Sequence, residues 1–139
     1  MSIKAAKQYI KKLSIEVPNS PDIFIKTNNK PDIEIAIDID AKKISDLAYE
    51  VTLKIKAIAD RSKLFNANIE YAGIFAFKED SAIGDLEEIL LVQCPNLLFP
   101  FARSIMSNLT SDAGFSPLML DPIDFLKLYN KRKEKVTVN

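Results

Sequence analysis

One apolar segment, from Cys94 to Phe125, constrains the fold of this chain more than any other part of the sequence. Its large apolar side chains recur at helical spacing and cover two adjacent helix faces. They are Leu97, Leu98, Phe101, Ala102, Ile105, Met106 and Leu109. A helix with so little polar surface must pack against other apolar elements. Pro100 predicts a kink or a restart within this helix, and Gly114 predicts its end.

Four earlier segments alternate apolar and polar residues, as strands with one buried face do. They cover residues 9–17, 32–40, 49–57 and 64–77, with turns at 42–46 and 60–62. In the first segment Tyr9, Leu13, Ile15 and Val17 are predicted to share one face. Short turns imply antiparallel pairing, and a sheet with one apolar face needs a helical cover. We therefore predict an α+β fold, in which a long kinked helix and a C-terminal lid helix cover a four-stranded antiparallel sheet.

The sequence also predicts the remaining helices and the domain limits. Residues 85–93 are expected to be helical, and a last helix is expected to begin with Asp121 as N-cap and Pro122 in its first turn. The chain has 139 residues, which is enough for one domain. We place that domain at residues 9–135, between a flexible arm at 1–8 and a tail at 136–139.

Composition argues against several functional classes. The 19 basic residues balance the 19 acidic residues, so no overall charge recruits nucleic acid or a membrane surface. The apolar runs are short for a membrane span, and the first residues lack the apolar core of a secretory signal. The chain has no histidine, and its three glycines are far apart, so a common general base and a phosphate loop are both missing. We expect no enzyme, cofactor or metal.

Two local patterns have competing interpretations. The single cysteine, Cys94, indicates a reducing compartment such as the cytoplasm; its position at a helix start suits a nucleophile, but without histidine we favour a buried apolar role. The carboxylates of Asp32, Glu34, Asp38 and Asp40 follow one strand face. We interpret them as a solvated face paired with Lys54 and Lys56 rather than as a cation site.

The chain has more apolar surface than one domain of this size can cover. One sheet face needs one layer of helix, yet the helix at 95–109 is apolar on two faces. The loop segment Ile23-Phe24-Ile25 and the last helix add to this surplus. The loop segment could fold onto its own core, but exposed apolar surface on this scale is typical of an oligomer or a binding groove.

A series of motifs in order resembles the SecB-type protein-export chaperones. The main group is Cys94-Pro95-Asn96, Phe99-Pro100-Phe101-Ala102-Arg103, Gly114-Phe115-Ser116-Pro117-Leu118 and the run from Leu120 to Tyr129. Earlier matches are the run from Glu16 to Pro21, Tyr49-Glu50-Val51-Thr52-Leu53 and Ala72-Gly73-Ile74-Phe75. The resemblance covers nearly the whole chain.

The resemblance implies a function, an assembly and a set of residues. It implies an ATP-independent cytoplasmic holdase that assembles as a homotetramer, a dimer of dimers, and delivers unfolded precursor proteins to the SecA motor. The client-binding groove would be lined by Ile23, Phe24, Ile25, Leu126 and Tyr129. The oligomer interface would include Ala67, Ile69, Tyr71, Leu97, Phe101 and Ile105. Glu16 matches a position that docks SecA.

The chain departs from this family pattern at the expected docking face. Lys12, Asn66 and Asn68 replace acidic or apolar docking residues, and a basic segment replaces the acidic C-terminal tail. Either the SecA contact uses other charges, or this chain passes its clients elsewhere, as toxin–antitoxin relatives do. A small-ligand-binding α+β domain with an interhelical pocket is the third alternative.

Overall fold

A computed structural model of the chain describes residues 3–26, 30–77 and 86–138. Its strands are β1 (Lys4–Glu16), β2 (Ile33–Ser45), β3 (Ala48–Ala59) and β4 (Phe65–Ala76), and its helices are α1 (Asp22–Ile25), α2 (Leu86–Asp112) and α3 (Phe125–Val138). The strands form one antiparallel sheet in the order β1-β4-β3-β2. The predicted α+β architecture is confirmed.

The core lies between the two central strands and α2. Leu53 and Ile55 of β3 and Ile69 of β4 are fully buried, and Leu98 and Met106 of α2 pack in the same cluster. Because α2 contacts mainly β3 and β4, the outer strands keep apolar side chains partly open to solvent. The described structure therefore covers its sheet unevenly, and both sheet edges retain apolar surface.

Strand β1 contains two bulges, which the sequence pattern does not reveal. Its pairing with β4 shifts between Ala5 and Lys7 and again between Ile10 and Lys12. Each extra residue moves the following side chains to the other face. Tyr9 consequently lies opposite Ala72 on the face without helices, whereas Leu13 lies opposite Ile69 under α2. The prediction that Tyr9 and Leu13 share a face is therefore wrong.

Several element limits differ from those expected. Strand β1 begins at Lys4, so residues 4–8 belong to the sheet rather than to a loose arm. Strand β2 extends to Ser45, and the turn into β3 is confined to residues 46–47. The loop after β1 contains the short helix α1. The sequence did not predict this helix, because the polar residues at both ends of the segment are typical of a loop. Helix α3 reaches Val138, so residues 136–138 are helical rather than a tail.

Helix α2 is continuous from Leu86 to Asp112, although the sequence predicted separate helices with a break before Pro95. A π-helical segment over Ile89–Gln93 precedes this proline, and Cys94 donates its N–H to the carbonyl of Ile89. The wider π turn relaxes the helix where a proline ring would otherwise clash with the preceding turn. The helix also continues through Pro100 without a restart.

By length and composition α2 could cross a membrane, since it has 27 residues and contains an 18-residue window with a mean hydropathy of 1.4, contrary to the expectation from its short apolar runs. Helices at the core of soluble proteins have the same properties. Here Leu98, Ala102 and Met106 are fully buried against the sheet.

Polar contacts fold the linker after α2 back along the helix. Gly114 adopts a φ of 97° at the end of α2, a conformation that favours glycine. The buried hydroxyl of Thr110 donates to the carbonyl of Met106 and accepts the N–H of Leu118, both at 2.9 Å. Arg103 Nε donates to the carbonyl of Leu120 at 2.8 Å. The linker therefore returns to the start of α2, where α3 packs.

The N-cap of α3 is Asp124 and not Asp121 as the sequence suggested. Its Oδ1 accepts the N–H of Lys127 at 3.0 Å, which is the usual capping contact to the third helical residue. Helix α3 begins at Phe125, so Pro122 lies in the linker. The ring of Phe125 is buried and meets that of Phe99 edge to face, with centroids 6.1 Å apart.

Candidate functional site

An open cleft separates strand β2 from the linker and α3, with a volume of about 450 Å³. Its apolar lining consists of Ile35, Ile37, Leu120, Pro122, Ile123 and Leu128, and Asp121, Asp124, Lys127 and Lys131 are also in the lining. Ile35 is 42% exposed and Leu128 is 39% exposed. The two acidic and two basic residues give the lining no net charge. The cleft therefore favours ligands with apolar side chains and does not select for either sign of charge.

A second exposed apolar surface lies at α1, where the sequence placed part of a groove. The ring of Phe24 packs on that of Phe115 with centroids 5.3 Å apart, and Phe115 in turn packs on Phe65 at 4.9 Å. Phe24 remains about half exposed and Ile25 is 78% exposed, whereas Ile23 is partly buried. The loop segment is thus attached to the core through Phe24 and still offers apolar surface to solvent.

The two groove residues predicted on α3 have opposite environments. Leu126 is 46% exposed and can contact a ligand. Tyr129 is buried and belongs to the chain's own core, so in this conformation it lines no open surface. The sequence alone could not show which of the two is exposed. Both lie on α3, and the face of α3 that packs on the core depends on the path of the preceding linker.

A salt bridge holds the middle of α3 to the edge strand. Arg132 Nη2 lies 3.2 Å from Asp38 Oδ1, and Arg132 Nη1 lies 3.5 Å from the carbonyl of Ile39. The same Asp38 oxygen accepts the N–H of Ile39 at 2.9 Å. These contacts occupy outward backbone groups of β2 beyond the cleft. Helix α3 is therefore anchored by buried aromatic packing at its start and by an exposed ion pair near its middle, at Arg132.

The residues predicted for an oligomer interface fall into two groups. Leu97 and Phe101 of α2 are about half exposed, and Ile105 is partly buried. Ala67, Ile69 and Tyr71 are buried inside the chain because they lie on β4 beneath α2, so another copy cannot reach them in this conformation. Phe101 stacks on Tyr71 with ring centroids 6.1 Å apart, which connects the exposed group to the core.

Sequence reasoning missed two β1 residues beside this group. Ile10 is 47% exposed and Leu13 is 44% exposed, on the same sheet face as α2. The second bulge conceals the signal, since Ile10 falls on the polar side of a regular alternation with Leu13 and Ile15. Together with Leu97 and Phe101 these residues form what we call the β1–α2 surface, which is apolar and open to solvent.

The other face of the sheet is charged and carries short polar contacts. Lys54 Nζ lies 2.6 Å from Asp40 Oδ2, and this hydrogen bond raises the pKa of Lys54. The predicted pairing of the acidic stripe is thus confirmed for Asp40, whereas Asp38 pairs with Arg132 instead. Across the described residues, no group of three or more potential metal ligands is placed to hold an ion.

Glu50 lies on this face and bonds to two residues of β1. It accepts hydrogen bonds from the Tyr9 hydroxyl and, at 3.0 Å, from Lys11 Nζ. The bond from Tyr9, followed by that from Lys11, lowers the pKa of Glu50. Burial, reinforced by the bond to Glu50, raises the pKa of Tyr9 to about 12. Strand β1 is thereby tied across β4 to β3.

The predicted docking residue Glu16 is exposed on the same face at the end of β1, opposite Asn66. The Oδ1 atom of Asn66 is buried and has no hydrogen-bond partner among the described residues. Lys12 lies opposite Glu70, and Asn68 lies opposite Ser14. The face therefore mixes both signs of charge instead of presenting a continuous acidic surface.

The environment of Cys94 decides between its two interpretations. The thiol is fully buried, and burial raises its pKa to about 12. Since the thiolate is the reactive form, this cysteine is not a nucleophile at neutral pH. Its role as a small buried apolar residue is confirmed.

Comparison with known proteins gives consistent results. The family model described as preprotein translocase subunit SecB matches residues 1–136. Relatives named protein-export protein SecB include one from Rickettsia typhi, 44% identical over 134 residues, covering 94% of this chain and 87% of the relative. One from Parvibaculum lavamentivorans is 40% identical over 136 residues, covering 96% and 80%.

A solved structure has the same fold. It is that of a SecB-like chaperone from Mycobacterium tuberculosis in complex with a peptide from the HigA1 antitoxin. The TM-score is 0.65 at 17% sequence identity, and the match covers 87% of each chain. At this identity the likeness concerns the fold alone.

Proposed function

Because the chain belongs to the SecB family of preprotein translocase subunits, we propose that it is an ATP-independent cytoplasmic holdase for unfolded precursor proteins. The observation that carries this proposal is the pair of exposed apolar surfaces at α1 and at the β2–α3 cleft. Unfolded chains expose apolar side chains, and burying these against a cleft of balanced charge is favourable without any sequence readout.

The client would contact two regions. At α1 it would cover Phe24 and Ile25, and at the cleft it would cover Ile35 and Leu128, all of which are exposed. Leu126, on α3 outside the cleft lining, would add a further exposed contact. Clients of many sequences fit such a surface because apolar burial is non-directional. Neither region needs nucleotide chemistry, and Cys94 offers no reactive thiolate, which supports binding rather than catalysis.

We propose a homotetramer, arranged as a dimer of dimers, built on the β1–α2 surface. Four large apolar side chains on one side of a monomer form a patch of the kind that a second copy covers in an oligomer. Ile105 lies one helical turn beyond Phe101 and would extend the contact. This surface is separate from Phe24 and Leu126, so assembly would leave the client-binding regions open.

Delivery of the client to the SecA motor is the proposed last step, and Glu16 is the residue that the family resemblance assigns to docking. A second candidate is a SecB-like holdase that passes clients elsewhere. The mixed charge around Lys12, Asn66 and Asn68 favours it, because these residues give the face no continuous acidic surface. Co-precipitation of the client-loaded protein with purified SecA separates the two candidates.

Light scattering on a sizing column, without nucleotide, tests the holdase and the assembly together. Four chains of 15.6 kDa give about 62 kDa, and this mass should increase when a chemically unfolded precursor is added. A folded precursor is the control and should leave the mass unchanged. A monomer that ignores the unfolded precursor would contradict both proposals.

A further inference from the structure

The two bulges in β1 bring three lysines onto one face. Lys7 is three residues from Lys4 and five from Lys12, so a regular strand would place Lys7 on the face opposite to the other two. The bulges reverse this, and the three residues lie opposite Ala76, Ile74 and Glu70 on the helix-free face. From the spacing of these β4 partners, the lysine strip is about 20 Å long. Bulges commonly re-aim side chains at functional positions.

The side chains of the lysine strip, which consists of Lys4, Lys7 and Lys12, are free to bind a partner. All three side chains are exposed. None of the ion pairs found in the described residues involves them, whereas the neighbouring Lys11 is bonded to Glu50. Glu70 faces Lys12 across one strand boundary and Lys54 across the other. Within the described residues Lys4 and Lys7 therefore have no ion-pair partner. Glu50, which lies across Ile74 from Lys7, is bonded to Tyr9 and Lys11 instead.

A row of uncharged residues on β4 borders the strip. Ala72, Ile74 and Ala76 share the helix-free face. Ile74 is partly exposed and Ala76 is exposed. A ligand along this row would meet lysine ammonium groups on one side and aliphatic surface beneath it. Both features together suit an extended segment that carries acidic and apolar residues.

We propose that the lysine strip and the adjoining β4 row dock an acidic segment of a protein partner. Carboxylates of the segment would pair with Lys4, Lys7 and Lys12, and its apolar side chains would cover Ile74 and Ala76. A protein segment fits better than nucleic acid, because the chain has zero net charge and the hydroxyl of the one aromatic side chain on β1, Tyr9, is held by Glu50. Docking on this face leaves the β2–α3 cleft free, so the proposal is independent of client binding.

The test measures binding of the assembled full-length protein to a fluorescent probe by anisotropy. The probe is a synthetic peptide of about 15 residues with glutamate alternating with leucine and alanine. Measurement in about 150 mM salt suppresses long-range attraction between exposed charges. The strip variant is Lys4/Lys7/Lys12→Gln, and the matched control is Lys26/Lys30/Lys63→Gln, which removes the same charge at exposed positions outside the sheet.

We expect the strip variant to bind the peptide about tenfold more weakly and the control variant less than about twofold more weakly, since each exposed pair contributes a few tenths of a kcal/mol to 1 kcal/mol. Lys4/Lys7/Lys12→Arg should retain binding. Equal losses in the strip and control variants, or no binding by the unmodified protein, would overturn the proposal. So would strip-dependent binding that is tighter for a single-stranded oligonucleotide or for anionic lipid vesicles than for the peptide.

Discussion

The ring of Phe24 lies directly over Gly114, so that a Cβ atom added to the glycine would be 2.9 Å from Cε1 of the ring. Gly114 ends α2 with a positive φ, and Phe24 belongs to the loop helix α1. Helix α1 and the end of α2, which are far apart in sequence, therefore pack closely at Gly114 because this residue has no side chain. This contact sets the position of one of the proposed client-binding surfaces.

Gly114→Ala is expected to destabilise the protein by about 1–2 kcal/mol, because alanine is strained at positive φ and its methyl group would push Phe24 away. Chemical denaturation measures this change. In a Phe24→Ala background the same substitution should cost less, since the ring is no longer in the way. An equal cost in both backgrounds would show that the close contact does not matter.

Asp38→Asn is expected to loosen the middle of α3 by removing the salt bridge with Arg132. Both side chains are more than half exposed, so the loss should be at most about 1 kcal/mol, or a few-fold in local opening. Hydrogen exchange in α3 measures it. Asp46→Asn removes the similarly exposed pair with Lys43 and should leave exchange in α3 unchanged. Unaltered exchange in both variants would contradict the anchoring role of Arg132.

Glu50→Gln is expected to reduce stability near neutral pH, with an effect that shrinks as the solution is acidified. The folded-state pKa of Glu50 lies below its ordinary value of 4.5. Its contribution is therefore present above that value and is lost as the pH falls through the folded pKa. Thermal unfolding of both proteins from about pH 7 to about pH 3 should show melting temperatures that converge. A constant difference across this range would rule out the predicted linkage.

Leu97→Asp together with Phe101→Asp is expected to break the proposed tetramer, because charges would enter an apolar contact. Both residues are about half exposed in the single chain, so the subunit should still fold. Light scattering should then report a mass below four chains. Leu126→Asp is the control, because it places a charge on the equally exposed surface of α3 and should leave the mass unchanged. A persistent tetramer in the double variant would place the interface elsewhere.

Much of the fold could be predicted from the alternation of apolar and polar residues. The errors in that prediction have local causes. The isoleucines of β2 between residues 33 and 39 and the odd-numbered apolar residues of β4 lie on the face that their spacing predicts. In β1 the prediction fails at Tyr9, because a bulge adds one residue without any marker in the sequence. In α2 the prolines suggested breaks, but the π segment before Pro95 keeps the helix continuous.

The candidate site was less predictable because it depends on the path of the linker. Phe24, Ile25 and Leu126 are exposed as a binding surface requires. Tyr129 is buried because α3 begins at Phe125 and packs that face inward. Ile35 lies on the apolar face of the strand predicted at residues 32–40, yet α2 covers the central strands and leaves this edge residue beside the cleft. In each case the exposure of the side chain depends on tertiary packing, which a local sequence pattern does not encode.

The most direct test of client binding compares three proteins for capture of the same unfolded precursor by light scattering: the unmodified chain, Phe24→Asp and Ile25→Asp. Ile25 is 78% exposed and makes no core packing, so its substitution should leave fold and assembly intact. We predict that both variants keep the subunit assembly and bind the precursor at least about tenfold more weakly, because a buried charge opposes apolar contact. Unchanged capture by both variants would contradict the assignment of this surface to the client.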